Sequence, residues 1–444
     1  MADFEAVRRQ FPILDQQVHG RPLVYLDSAA TAQKPQAVID AESGFYESIN
    51  AGVHRGAHEL AARSTVAFED ARATMARFVG ASAEEGHEEL VVTAGATAGL
   101  NLLATAFGYA SMGRGPAAAR RFALGPGDEI VVSQAEHHSV LLPFQELAAR
   151  TGATLTWFAL DDEGRIRTDT ADEVITDRTK VVAMTHVGNV TGAITDLAPV
   201  VRRAHEVGAV FVLDACQSVP HLPVDFHALD VDFAAFSAHK MYGPTGAGFL
   251  YGRRELLEAL PPAWFGGSMV ELAWMDQPAQ YMDPPARFEA GTQPVAQVVA
   301  AGVAAQWLQS IGMDAVAGHE QALTSELLRL GDIPGVRILG PMSATARIGT
   351  VAFEVEGVHP HDVGQYIDAQ GIAIRVGHHC AQPVHRHFGI YASNRASLGV
   401  YNTMDDVHAL LDAVAGVRPF FGVAAHARNS AVRGRLDTME QCCM

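Results

Sequence analysis

The segment Ser237-Ala238-His239-Lys240 contains a lysine in an unusual local setting. It follows an apolar run with the composition of a strand and precedes the Gly- and Pro-rich residues 241–246. Such a lysine could form a Schiff base with a carbonyl compound if its surroundings lower its pKa. Ser237 and His239 could bind a phosphate. As an isolated string this motif is weak, and an exposed loop lysine is then the better interpretation.

A second candidate is Asp214-Ala215-Cys216-Gln217, at the end of another apolar run. Asp214 could keep a pyridinium nitrogen protonated, which preserves a flat ring as an electron sink. Gln217 could hydrogen-bond a phenolic oxygen on the same ring. The simpler interpretation makes Asp214 a helix N-cap and Cys216 a small buried residue.

Two further motifs also follow apolar runs. Ala96 and Thr97 lie in a stretch of small residues at a helix start, where backbone N–H groups can hold a phosphate. An ordinary strand–helix turn would have the same composition. His137 and His138 could stack on a flat cofactor or move protons. They could also bind a metal, but no third and fourth ligand occurs at suitable spacing, so zinc is a minor alternative.

The last candidate is the run Arg375-Val376-Gly377-His378-His379-Cys380, followed downstream by Arg395. Histidines and a glycine beside Cys380 could make it a nucleophile. Arg395 could hold a substrate carboxylate with two hydrogen bonds. A buried core thiol is the alternative interpretation for Cys380.

These motifs require a scaffold that brings strand ends together. Candidate strands lie at 89–93, 129–133, 154–158, 180–185, 209–214, 231–237 and 248–251, and they alternate with helical stretches such as 141–150 and 198–207. This alternation predicts an α/β fold with a large, mostly parallel seven-stranded sheet covered on both faces. Such sheets bind ligands at the carboxyl ends of their strands, which is where the motifs occur.

The rest of the chain predicts a smaller α+β unit. A linking helix is predicted at 295–310, strands at 336–339, 350–354 and 372–376, and helices at 361–370 and 404–414. We expect an N-terminal segment, 1–30, packing with the small unit, a large domain at 31–294, a small domain at 295–420 and a mobile tail at 421–444. Residues 113–121 are expected to form a surface loop.

Composition excludes several classes of protein. The formal charge of −18 disfavours nucleic acid as a partner, because such a surface repels phosphates. No apolar run is long enough for a membrane helix, and the N-terminus does not have the pattern of a signal peptide. Four cysteines among 444 residues are not a disulfide framework, so a cytoplasmic enzyme with free thiols is expected.

Taken in order, the motifs resemble the class V aminotransferases, which have the fold of type I pyridoxal 5'-phosphate (PLP) enzymes. Within that superfamily the chain is most similar to the SUF-type (group II) cysteine desulfurases and selenocysteine lyases. The resemblance extends from about residue 11 to 417. It rests on YLDSAATAQKP, INAGVHRGAHELA, EHHS, HVGNVTG, SAHKMYGPTG, FEAGTQP, IRVGHHCAQP and RASLGVYNT.

The resemblance implies a role for each matching residue. Lys240 would carry PLP covalently and move protons at the substrate Cα. Further cofactor contacts would come from Asp214 at the pyridine nitrogen, Gln217 at the ring oxygen, His137 stacked on the ring, and Thr97, Ser237, His239 and Ala96 around the phosphate. The substrate carboxylate would be held by Asn189 and Arg395, with Arg375 near the active-site loop.

The resemblance also implies partners. Cys380 would take the sulfur of L-cysteine as a persulfide and pass it to an acceptor protein, for iron–sulfur cluster assembly or another sulfur-requiring pathway. Thr292 would reach the phosphate in the other subunit, which implies a homodimer with shared active sites. His361 matches a position that assists a sulfur acceptor in some relatives, and an exposed residue at a helix start is an equally good interpretation.

The chain departs from the family pattern without losing a catalytic group. Ala96, Ala215 and Gly188 stand where the family commonly has Thr, Gly and Ser. A selenocysteine lyase, or another class V lyase or aminotransferase, shares most of the cofactor residues. Cys380 favours a desulfurase over the other reactions of the class, because they need no thiol acceptor. The intact Lys240 and Asp214 argue against a scaffold without catalytic activity.

Overall fold

The computed structural model describes residues 2–81 and 86–423 of the chain. Its helices, numbered in chain order, are α1 (Phe4–Arg8), α2 (Gln36–Ser48), α3 (Glu59–Phe78), α4 (Ala96–Ser111), α5 (His138–Thr151), α6 (Ala171–Val174), α7 (Ala198–Glu206), α8 (Arg254–Ala259), α9 (Val295–Ile311), α10 (Met313–Leu327), α11 (Pro360–Asp368), α12 (Gln382–His387) and α13 (Met404–Phe420). Its strands are β1 (Gln17–Val18), β2 (Arg21–Pro22), β3 (Val24–Tyr25), β4 (Leu90–Thr93), β5 (Glu129–Ser133), β6 (Thr154–Phe158), β7 (Thr179–Thr185), β8 (Val210–Asp214), β9 (Phe233–Ser237), β10 (Gly248–Gly252), β11 (Val270–Leu272), β12 (Gln280–Tyr281), β13 (Val336–Leu339), β14 (Thr350–Val355), β15 (Ile372–Ala373), β16 (Arg375–Gly377) and β17 (Ser393–Ser397).

Seven of these strands form the large sheet, in the order β4-β10-β9-β8-β7-β5-β6. Neighbours are parallel except in the two pairs that β10 makes with β4 and β9. The predicted α/β fold with a mostly parallel seven-stranded sheet is therefore confirmed. The strand boundaries differ from the predicted ones by at most two residues.

The two faces of the large sheet bury different side chains, as the two-residue period of a strand requires. Val131 of β5 belongs to the apolar core shared with α3, α7 and α9. Its neighbours Ile130 and Val132 belong to the core shared with α4 and α5. Helices cover both faces, as expected for a parallel sheet.

Helix α9 matches the predicted linking helix and packs against α2 and α3. The contact with α3 is close, because a Cβ added to Gly302 would lie 2.9 Å from the Ala71 Cα. Most of the inward side chains of α9 join the core on the α3 side of the large sheet.

The C-terminal part contains an antiparallel sheet in the order β13-β14-β17-β16, with α10, α11 and α13 around a core of its own. The prediction of one continuous strand at 372–376 is wrong, because two short strands occupy this segment. The chain changes partner at Ile374, so that β15 pairs with β3 of the N-terminal segment and β16 pairs with β17. Strand β17, which carries Arg395, is buried throughout.

Three other predicted segments differ from the structure or fall outside it. The predicted surface loop at 113–121 is mostly exposed, but Ala117–Phe122 forms a 3-10 helix that buries Ala119 and Phe122. Helix α13 continues to Phe420, beyond the predicted end at residue 414. The predicted mobile tail lies, apart from residues 421–423, outside the described residues. No helix of the described ranges is long and apolar enough to cross a membrane.

Candidate active site

The predicted motifs meet at one cavity of about 180 Å³, at the carboxyl ends of the parallel strands. They meet because β9, β8, β7 and β5 are successive neighbours in the sheet, so the residues that follow them share one edge. The sequence-predicted residues that line the cavity are Ala96, Thr97, His137, Asn189, Asp214, Gln217, Ser237, His239, Lys240, Arg375 and Arg395. Cys380, Thr292 and His361 do not line it.

Lys240 ends a 3-10 turn, Ala238–Lys240, that directly follows β9. The side chain is half-buried, and within the described ranges its ammonium makes no hydrogen bond or ion pair. Two imidazoles are close to Lys240, those of His137 and His239. Burial and the positive charge of Lys240 together lower the pKa of each ring to about 4. Both rings are therefore neutral at physiological pH.

Asp214 and Gln217 line the same cavity from the end of β8. The Asp214 carboxylate accepts the backbone N–H of Cys216 at 2.9 Å, which is the contact of a capping aspartate. Asp214 thus has the N-cap-like contact and also faces the cavity. The Gln217 amide donates to the Ala29 carbonyl at 3.0 Å, and its Oε1 is buried with no partner in the part of the chain that the structure describes.

The predicted phosphate-binding residues lie at the start of α4. Its N-cap, Gly95, has φ 145°, a conformation that residues with a Cβ rarely adopt. The backbone N–H of Ala96 donates to the Ser237 hydroxyl at 2.9 Å, so this N–H already has a protein acceptor. The Thr97 hydroxyl lies 2.7 Å from the Ser139 hydroxyl, and both side chains line the cavity.

His137 caps α5, and this contact fixes its tautomer. The backbone N–H of Ser139 donates to Nδ1 at 3.0 Å, so Nδ1 carries the lone pair. Because the ring is neutral, its proton is on Nε2.

Glu136, next to His137, is fully buried. Its Oε1 accepts the Ser133 hydroxyl and the Thr185 backbone N–H, while Oε2 has no partner among the described residues. Burial raises the pKa of Glu136 to about 8, and Asp214 adds to this rise. Glu136 therefore joins the ends of β5 and β7 mainly as a neutral acid.

Arg395 is a fully buried cation in the cavity wall. It donates to the Asn189 carbonyl at 3.0 Å and to Asp27 at 3.3 Å, and its Nε has no partner within the described ranges. Burial lowers its pKa to about 10, so it stays charged at neutral pH. With Arg375 in the same wall, the site suits a carboxylate ligand.

Cys380 lies in the short loop between β16 and α12, directly after the cavity residue His379. Its sulfur is 3.7 Å from Nη2 of Arg375. The loop is held by Asn189, which donates to the His379 carbonyl at 2.6 Å, and by the His138 backbone N–H, which donates to the Cys380 carbonyl at 2.7 Å. The loop is therefore short and hydrogen-bonded at both His379 and Cys380.

Two predicted residues lie elsewhere in this single chain. Thr292 is exposed, and its predicted contact is with another subunit, so its role stays a prediction. His361 is exposed in the first turn of α11, where its Nε2 is 3.1 Å from the Gln365 amide. This matches the helix-start interpretation, and the acceptor role stays a prediction.

Sequence reasoning missed Ser139 and Asp27, which contact predicted site residues, and Glu136, the buried acid next to His137. Ser139 had a detectable signal, because it lies two residues after His137 at a helix start, where hydroxyls often bond back to the turn. Asp27 had no such signal, because it meets Arg395 from the far end of the chain. In the described part of the chain no group of three His, Cys, Asp or Glu side chains could hold a metal ion.

Sequence comparison gives consistent matches. The family model for aminotransferase class-V matches residues 24–410. A probable cysteine desulfurase of Streptomyces coelicolor is 48% identical over 424 residues, covering 95% of this chain and 99% of that protein.

Two solved structures have the same fold. A cysteine desulfurase of Escherichia coli, in an S-sulfonic acid form, superposes with a TM-score of 0.83 at 36% identity, covering 95% of this chain and 99% of that one. An apo cysteine desulfurase of Thermococcus onnurineus superposes with a TM-score of 0.86 at 34% identity, covering 94% and 98%.

Proposed function

The chain belongs to the class V aminotransferase family, and from that premise we propose that it is a PLP-dependent cysteine desulfurase that converts L-cysteine to L-alanine. The observation that carries the proposal is the position of Cys380. Its sulfur lies against the Arg375 guanidinium and beside a cavity that contains a lysine, an aspartate and a carboxylate-binding arginine. A thiol in this position is needed for sulfur removal and is unnecessary for transamination or simple elimination.

The residues around the cavity fit PLP. Lys240 offers an amine without a protein partner among the described residues, and Asp214 offers a carboxylate for a ring nitrogen. Gln217 Oε1 is buried and has no partner within residues 2–81 and 86–423, and a polar ligand would supply one. Bound PLP supplies an electron sink for the negative charge that develops when the substrate Cα loses its proton.

The chain's own residues account for the remaining steps. Arg395 and Asn189 hold the carboxylate of cysteine, and Nζ of Lys240 moves the proton at Cα. Cys380 Sγ then attacks the substrate sulfur, so the substrate C–S bond breaks and an S–S bond forms. The net change is cysteine plus the Cys380 thiol giving alanine plus a Cys380 persulfide, which balances without an external oxidant.

The direct test is to supply the purified, PLP-loaded protein with cysteine and a reducing thiol, and to quantify alanine and sulfide. We expect the two products in equal amounts, and a yellow protein before substrate is added. Cys380→Ser is the matched control, because it keeps the side chain's size and removes the sulfur. Alanine formation at the wild-type rate by this variant would contradict the proposal.

We also propose that a dedicated acceptor protein removes the persulfide sulfur. Only residues 378–381 separate β16 from α12, and the His379 and Cys380 carbonyls of that loop accept hydrogen bonds from Asn189 and from the His138 backbone N–H. Cys380 is thus held in place and cannot carry sulfur far, so the acceptor must bring its own thiol to it. Turnover with cysteine alone is expected to be slow, with marked stimulation by a protein acceptor, and the absence of any stimulation would contradict this.

The active form is proposed to be a homodimer. Exposed apolar side chains support this, among them Tyr46 of α2, Val66 of α3 and Leu272 of β11. Thr292 is exposed and free to reach a neighbouring subunit. Sedimentation of the active enzyme should give a dimer, and a fully active monomer would refute the proposal.

A further inference from the structure

The backbone around Cys380 has a conformation that its own residues disfavour. His379 has φ 51° and Cys380 has φ 57°, both in the left-handed region. A Cβ makes this region costly, and two successive non-glycine residues rarely adopt it. Such a conformation persists only where surrounding contacts impose it.

A series of side-chain hydrogen bonds begins at the His379 ring. His379 Nε2 is 3.0 Å from the Ser393 hydroxyl, and the same hydroxyl is 2.9 Å from His385 Nε2. His385 Nδ1 is 3.2 Å from the Ala381 carbonyl. These hydrogen bonds therefore connect the His379 ring to the Ala381 carbonyl, so they link the residues on the two sides of Cys380.

The chemistry of each group determines which partner donates in each of these hydrogen bonds. The Ala381 carbonyl can only accept, so His385 carries its proton on Nδ1. Burial keeps the His385 ring neutral by lowering its pKa, so its Nε2 must accept the Ser393 proton. The Ser393 hydroxyl can then only accept a hydrogen bond from His379, so the proton of the His379 ring must be on Nε2.

All three side chains are buried, so these bonds are shielded from water. The remaining nitrogen of His379, Nδ1, is buried and has no partner among the described residues. Within the described ranges, the hydrogen bond that anchors the His379 ring is therefore the one to Ser393.

We propose that Ser393 and His385 are positioning residues that lock the His379 ring and thereby hold Cys380 in its left-handed conformation, with its thiol against Arg375. This inference rests on the proposed function, in which Cys380 receives the sulfur. Neither Ser393 nor His385 lines the cavity, so they act on the reaction only through the loop.

The test compares Ser393→Ala, which removes the hydrogen bonds of the hydroxyl to His379 and His385, with Ser393→Thr, which keeps a hydroxyl. His385→Phe breaks the series of hydrogen bonds at a second point and preserves a ring. Ser325→Ala is the control, because Ser325 is exposed on α10 and its hydroxyl donates to the Gln321 carbonyl at 3.0 Å. Each variant is measured for PLP absorbance, KM for cysteine, single-turnover persulfide formation on Cys380, and alkylation of Cys380 by iodoacetamide without substrate. Cys442 and Cys443 are replaced by serine throughout, so that alkylation reports Cys380.

Loss of one hydrogen bond of this kind predicts about a tenfold slower persulfide formation in Ser393→Ala and His385→Phe, with KM changed less than about twofold. Alkylation of Cys380 should also depart from the wild-type rate, because the thiol leaves its fixed position beside the Arg375 guanidinium. Ser393→Thr should stay within about twofold of wild type.

Wild-type persulfide formation and alkylation in both breaking variants would overturn the proposal. So would a Ser393→Thr variant as impaired as Ser393→Ala, since that result would indicate packing alone. If Ser393→Ala does not bind PLP, His385→Phe decides the question by the same measurements. If the wild-type protein forms no persulfide, the proposed function fails, and the alkylation rates still test the positioning role.

Discussion

Replacing Arg395 with lysine tests how the site recognises a carboxylate. The guanidinium is fully buried and donates to both the Asn189 carbonyl and Asp27 while it lines the cavity. A lysine keeps the charge but concentrates it at one point, so it cannot serve these two acceptors and a substrate carboxylate together.

The expected loss follows from these contacts. At least one hydrogen bond to a charged group disappears, which costs about 2 kcal/mol. Since about 1.4 kcal/mol corresponds to a factor of ten, kcat/KM should fall about 30-fold. The carboxylate is bound alike before and during the reaction, so most of the loss should appear in KM.

The assay is alanine formation as a function of cysteine concentration, with PLP absorbance confirming that the cofactor still binds. Arg337→Lys is the matched control, because Arg337 is exposed and pairs with Glu354 at 3.2 Å, away from the cavity. Cysteamine, which lacks the carboxylate, provides a second comparison, since the preference for cysteine should shrink in Arg395→Lys. A variant with normal KM and an unchanged preference would refute carboxylate binding by Arg395.

Four other outcomes can be measured directly. Lys240→Ala should make no detectable alanine, because it removes the amine that holds PLP and moves the proton; near-wild-type production would disprove its role. Glu136 has its pKa raised by burial from 4.5 to about 8, so its contribution to folding stability declines as pH rises between these values. Glu136→Gln should therefore melt at about the wild-type temperature at pH 4 and progressively above it towards pH 8, and a constant difference would contradict this. Burial and Asp214 raise the pKa of Cys216 to about 12. Mass spectrometry should thus find Cys216 unmodified by iodoacetamide at pH 8 until the protein is denatured, and rapid native modification would show the site to be open. Deleting the last four residues should leave the rate of alanine formation unchanged, and a loss would assign the C-terminal cysteines a role.

The sequence alone determined the features that depend on short stretches of chain. Apolar runs alternating with helical stretches specify a mostly parallel sheet, because each pattern reflects the side-chain period of one element. Lys240, Asp214 and His137 could be found because each follows such a run within a few residues, and parallel strands bring those ends to one edge. Cys380 could be found from its immediate neighbours.

Only the tertiary structure decided how distant residues support these groups. Asp27 meets Arg395, and Ser393 joins two histidines, through contacts that no local pattern encodes. The split of the strand predicted at 372–376 also depended on two partners from different parts of the chain. Protonation depends on the same packing, because the raised pKa of Glu136 and the lowered pKa of His137 come mainly from burial. Burial depends on residues from distant parts of the chain that pack around a side chain in the fold. A short stretch of sequence contains the buried residue but not the residues that cover it.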